Sequence, residues 1–141
     1  MNNSSNKKSH KRILIVLLLV AITAGGVFMF SMLEKSQEER RNREYEVSLV
    51  NVLKNTYQGI EEIKITKPDY TNPPGSWSCD VEIKFIDEKT LKYGINHHLS
   101  YKTNYGGRQE TNEDWQYLNT HKGKTLKSVK ITYSDYEQGE Q

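Results

Sequence analysis

His97 and His98 are the nearest the sequence comes to an acid–base or metal site. An imidazole titrates near neutrality and can ligate a metal. Neighbours on a strand, however, point to opposite faces, so two adjacent histidines do not share one ion. His121 is the only other histidine in the second half of the chain, and spacing sets no carboxylate beside any of the three. They are read as structural, and neither a metal nor another cofactor is expected. The alternative kept open is a small envelope hydrolase in which His97 or His98 works with a carboxylate such as Asp80 or Glu82. That reading requires a histidine and a carboxylate to meet in a cleft.

Cys79 is the one cysteine, so no disulfide can close within the chain and no Cys-x-x-Cys pattern exists. It falls on the apolar side of an alternating stretch, where a thiol serves as a small core residue rather than a nucleophile. The aromatics suggest recognition. Nine tyrosines and two tryptophans exceed what a small core needs, and several fall in or near loops. Tyrosine and tryptophan supply contact area at small entropic cost. Tyr70, Trp77, Tyr105 and Trp115 are therefore the binding candidates, beside the turn signals Pro73-Pro74-Gly75 and Gly106-Gly107. The leading reading is a non-enzymatic interaction domain that binds a protein or peptide partner, with an immunity-type or assembly role fitting that class.

The elements that must position these residues follow from periodicity. Residues 36–57 lack proline and glycine, and Tyr45, Leu49, Val52, Leu53 and Tyr57 recur at helical spacing, which predicts a long amphipathic helix stopped near Gly59. Its first part, residues 34–44, is charged and is expected to be a solvated helical stalk. Ile63 and Ile65 mark a strand ending before Pro68. Trp77, Cys79, Val81, Ile83 and Phe85 alternate with Ser78, Asp80, Glu82 and Lys84 in the clearest strand. After a turn at Asp87-Glu88-Lys89, a returning strand runs from Leu91 to Tyr101, with a bend or bulge expected at Gly94 or Asn96. Thr111 and Asp114 open a short helix carrying Trp115 and Leu118. A last strand holds Val129, Ile131 and Tyr133, and residues 136–141 are a polar tail expected to fray. The fold class is α+β: residues 45–135 place a long helix on a mainly antiparallel sheet of about four strands, in cystatin-like element order.

What precedes this domain sets its location. Residues 1–12 form a basic tail with four lysines and arginines, and Ile13 to Leu33 is an uncharged apolar run. As a helix that run is long enough for a bilayer core of ~30 Å. It is longer than a signal peptide's apolar region and is read as a single-pass signal-anchor. The basic flank predicts that the N-terminus stays inside and the domain lies outside the cytoplasmic membrane. The chain's formal charge is +2, of which the tail carries +4, so the remainder is at −2. A nearly neutral domain has no electrostatic footprint for nucleic acid. Ala21-x-x-x-Gly25 offers a close helix contact for a homodimer, and a structural dimerising stalk is a further alternative.

The anchor, the helix end Asn55-Thr-Tyr-Gln-Gly-Ile60, the strand Glu62-Ile-Lys-Ile-Thr66 and the turn Asn72-Pro-Pro-Gly-Ser-Trp77 resemble small membrane-anchored proteins of unknown function from Gram-positive bacteria. The resemblance covers roughly residues 10–86 and departs from Asn96 onward. It implies a bacterial envelope location and attaches no activity.

Overall fold

The computed structural model describes residues 36–141. The basic tail, the run 13–33 and the first two stalk residues lie outside the described residues. Among those described, no helix is long and apolar enough to cross a membrane.

Helix α1 spans Gln37–Thr56. Ser36 caps it, its Oγ accepting the Glu39 N–H at 3.3 Å, and Glu38 and Glu39 place negative charge in the first turn, where the helix dipole favours it. The helix closes on Tyr57, and Gly59, at φ +77°, turns the chain into β1 (Ile60–Thr71), which runs back along α1. β2 (Ser76–Phe85) and β3 (Thr90–His97) complete an antiparallel meander. Helix α2 (Asn112–Thr120) is capped by Thr111, whose Oγ1 accepts the Asp114 N–H as the sequence predicts. β4 (Lys130–Thr132) then pairs in parallel with β1, and β5 (Gln138–Glu140) antiparallel with β4. The fold is α+β. The sheet order is β3-β2-β1-β4-β5, so the sheet is mixed and has five strands rather than about four.

Four local expectations are corrected. β1 does not stop before Pro68: its register with β2 shifts between Thr66 and Asp69, with Lys67 at φ +52°, and this bulge lets a residue without an N–H pass through the strand. β3 ends at His97 rather than Tyr101, because β2 begins at Ser76 and Trp77↔His97 is the last pair, which leaves nothing for Leu99 and Tyr101 to pair with. The β2–β3 register is unbroken, so neither Gly94 nor Asn96 is a bulge. Residues 136–141 are ordered by β5 and by Gln141. The Gln141 side chain donates to Val47 O and Asn51 Oδ1 and accepts from the Tyr133 hydroxyl.

The core lies between α1 and one face of the sheet. Leu49, Val50 and Leu53 of α1 meet Ile63 and Ile65 of β1, Val81, Ile83 and Phe85 of β2, and Leu91 and Ile95 of β3, all essentially inaccessible. Full burial of each such side chain contributes roughly 1.5–3 kcal/mol. Cys79 sits among them, where burial first, then the negative charges of Glu46 and Asp80, push its thiol pKa up. It is an inert core residue. The sheet's other face is polar. One row across it reads Lys84, Glu62, Lys130, Glu140, and the next Lys92, Glu82, Lys64. Opposite charges thus face each other across neighbouring strands, an arrangement that fixes register at roughly 0.2–1 kcal/mol per pair.

Candidate functional site

The four aromatic candidates divide among three places. Trp77 is 1% exposed and belongs to the core: its ring stacks on Tyr45 with centroids 5.2 Å apart, and its Nε1–H donates to Asn42 Oδ1 at 3.1 Å. Tyr70, opposite Trp77 in the β1–β2 register, is half-buried, packed on Tyr45 and covered by the Arg41 guanidinium at 4.1 Å. Tyr105 stands edge-on to Tyr57 at the far end of α1 and remains exposed. Trp115 is exposed on α2. Tyr70 and Trp77 therefore share one cluster, which Tyr105 and Trp115 do not join.

That cluster continues through both histidines. His97 lies edge-on to Trp77 and Tyr45, and Tyr101 packs against His97 at 5.9 Å and His98 at 5.7 Å. His97 is 4% exposed on the helix-facing side, with its Nε2 2.9 Å from Ser48 Oγ. Its Nδ1 is buried without a hydrogen-bond partner. Asp80 and Glu82, by contrast, belong to the outer face of β2, so the histidine–carboxylate pairs named from the sequence do not form. His98 is exposed, its Nδ1 accepting from Ser100 N–H and lying 2.7 Å from Ser100 Oγ. Among the described residues, no group of three or more metal-ligating side chains converges.

Burial, reinforced by charge on His98, lowers the His97 pKa to about 4. A depressed folded-state value means that the unfolded chain protonates first as pH falls. The stability from neutral, buried His97 is complete above the ordinary value near 6.5 and is lost progressively toward pH 4. We expect the protein to lose up to about 3 kcal/mol between pH 7 and pH 4 relative to a His97→Gln variant, at ~1.4 kcal/mol for each tenfold difference in proton affinity between the folded and unfolded chains. Urea unfolding of both proteins across that range checks this, and parallel curves would refute it. Glu46, whose carboxyl is raised by burial, works in the opposite sense and is present in both proteins.

Beside the cluster is a groove of about 650 Å³ between α1 and the segment after β3. Val47, Ser48, Asn51, Val52 and Asn55 form its helix wall, and Leu99, Tyr101 and Thr103 form the other. The loop wall is held by Asn104, which is buried. Its backbone N–H donates to Thr56 Oγ1 at 2.9 Å, its Nδ2 donates to Asn96 O at 2.8 Å, and its Oδ1 accepts the Gly106 N–H at 2.9 Å. Leu99 and Tyr101 are 41% and 49% exposed on this braced loop. The alternation from Leu91 predicts them on the inward face of a longer third strand. The signal that could have moved them out is the length of β2, whose last inward residue opposite β3 is Trp77. Nothing in the sequence pointed to Ser48, since its histidine partner lies 49 positions away.

The site thus comprises a groove with two exposed apolar side chains, several side-chain amides and hydroxyls, the charged Glu44, Lys102 and Lys124, and a part-buried serine–histidine hydrogen bond at one end. Comparison with protein-family models, with curated proteins and with solved structures finds no match to this chain.

Proposed function

We propose that the protein is a membrane-tethered interaction domain outside the cytoplasmic membrane, which binds an extended segment of a protein partner in the groove between α1 and the Leu99–Thr103 wall. The observation that carries this reading is the bracing of that wall: Asn104 ties the segment to Thr56 of α1 and to Asn96, with Leu99 and Tyr101 half-exposed on it. Apolar anchors held in place before binding lose little entropy on contact, which is where affinity is gained. Asn51, Asn55 and Thr103 add donors and acceptors able to meet a peptide backbone. Tyr105, farther along the same segment, extends the contact surface, whereas Trp77 acts from inside by supporting Tyr45 and His97. The cystatin-like element order contributes nothing to function. Residues 13–33 supply the tether, concentrating the domain at the membrane surface where its partner is held.

A photo-crosslinking residue placed at Asn51 or Leu99 of the full chain, in intact cells, should give an adduct with one protein partner. The same residue at Lys92 on the outer sheet face should give none, and a Leu99→Asp, Tyr101→Ala variant should reduce the groove adduct at least tenfold. Equal adducts from Lys92, or capture indifferent to the double variant, would overturn the assignment. Adducts only with a second copy would instead favour the dimerising stalk.

The second reading, a hydrolase, has one observation in its favour: Ser48 Oγ lies 2.9 Å from His97 Nε2 at the groove. A serine and a histidine at that distance are the start of a nucleophilic pair. His97 Nδ1 has no carboxylate to orient it, and a pKa of about 4 makes the imidazole a weak base at neutral pH. Ser48→Ala separates the two readings: partner capture is retained if the groove only binds, and turnover of any ester or peptide substrate is abolished if it catalyses.

A further inference from the structure

The apolar run ends at Leu33, and the cap of α1, Ser36, follows only three residues later. Given the tether proposed above, on which this inference rests, whatever lies at the start of α1 is held close to the bilayer. Two turns of chain lie there. Arg41 stacks on Tyr70, so the end of β1 is level with the second turn of α1, about 8 Å along the helix from Ser36 at 1.5 Å per residue. The β1–β2 tip, Thr71-Asn-Pro-Pro-Gly-Ser76, lies beyond Tyr70 on the Ser36 side, one strand residue and a tight turn farther along. The second turn connects β4 to β5. Arg43 grips it on both sides of Tyr136, through Asp135 at 2.6 Å and Glu137 at 2.8 Å.

The chemistry of this end is divided: Glu38 and Glu39 open α1, and Asp135 and Glu137 flank Tyr136. The β1–β2 tip carries no charge in six residues, and all of them but half-exposed Gly75 are exposed. Tyr136 is 81% exposed, among the most exposed of the large side chains. Arg41, stacked on Tyr70 beside the tip, has no carboxylate partner among the described residues, and its Nε is buried without a hydrogen bond. The opposite end of the sheet instead turns through Asp87, Glu88 and Lys89. A neutral tip enters the headgroup–acyl boundary without the cost of desolvating a charge, tyrosine is favoured at that depth, and an unpaired guanidinium is suited to a phosphodiester.

We infer that the domain rests on the bilayer surface through the β1–β2 tip and Tyr136, with Arg41 positioned for an anionic lipid headgroup. This fixes the orientation of the domain: α1 stands up from the membrane, and the groove opens to the side rather than onto the lipid.

The test uses the full chain in vesicles of phosphatidylcholine with and without phosphatidylglycerol. Cys79 is buried and unreactive, so a single introduced cysteine takes an environment-sensitive fluorophore without further changes. Brominated lipid should quench a label at Pro74→Cys or Tyr136→Cys at least twofold more than one at Leu126→Cys, which is 90% exposed elsewhere on the surface. Arg41→Gln should reduce quenching at Tyr136→Cys only when phosphatidylglycerol is present. Far-ultraviolet circular dichroism reports that each variant is folded. Vesicle-bound protein with equal quenching at all three positions would overturn the resting surface while leaving the tether intact. Protein that fails to float with vesicles would overturn the tether and this inference together.

Discussion

Replacing Trp77 by Ala should lower the unfolding free energy by about 3–5 kcal/mol, the range for truncating a fully buried tryptophan. The ring is essentially inaccessible, and three contacts depend on it: the Tyr45 stack, the edge contact with His97 and the hydrogen bond to Asn42. Losing it opens a void at the point where α1, β2 and β3 converge and leaves Asn42 without its donor. Trp115→Ala should change stability by less than about 1 kcal/mol, because its ring is 44% exposed on a short helix. Urea unfolding followed by far-ultraviolet circular dichroism distinguishes the two. Equal effects would mean that Trp77 is not a core residue. The contrast also matters for function, since lost capture in a Trp77 variant would report unfolding rather than a missing contact.

Arg43→Met should cost about 2–3 kcal/mol, with the loss concentrated in the C-terminal hairpin. Arg43 is 2% exposed, its guanidinium bonded to Asp135 and Glu137 and stacked on Tyr133 at 4.0 Å. Breaking a fully buried ion pair costs ~3–5 kcal/mol. The figure here is smaller because both carboxylates retain contact with water, at 30% and 45% side-chain exposure. Glu46 is affected as well. It is buried beside Arg43, accepts the Ser134 N–H at 2.7 Å, and loses a nearby positive charge that helps offset the burial raising its pKa. Amide hydrogen exchange across residues 133–141 should therefore accelerate before the α1 amides do. Uniform acceleration, or no change in unfolding midpoint, would show that the hairpin is held by β4–β5 pairing alone.

The local pattern carried far in this chain. The alternation from Trp77 to Phe85 identified β2 and its buried face, the helical spacing from Tyr45 to Tyr57 identified α1, and the Thr111 cap opened α2 one residue later. Such signals are legible because period 2 and period 3.6 are written in consecutive residues. The errors fall where a partner distant in sequence decides. Leu99 and Tyr101 continue the alternation of β3, yet β2 has no residue left to pair with them, so they emerge as a groove wall. Arg43 reads as a wet stalk residue, yet the C-terminal hairpin buries it, with Glu46 beside it. Trp77 reads both as the first apolar-face residue of β2 and as a binding candidate, and the helix decides between them: Tyr45 and Asn42 of α1 cover its ring.

The helix, the central hairpin and the apolar face of each follow from the residues in order, because backbone sterics and hydrophobic periodicity act over a few positions. Three outcomes came instead from the assembled fold: which polar groups went inside, that β4 joins β1 in parallel, and that Ser48, bonded to buried His97, faces a braced loop across one groove. Those outcomes depend on contacts between residues about 40 to 90 positions apart. Such contacts are chosen by how the whole sheet and α1 fill space together, and a local pattern does not encode them.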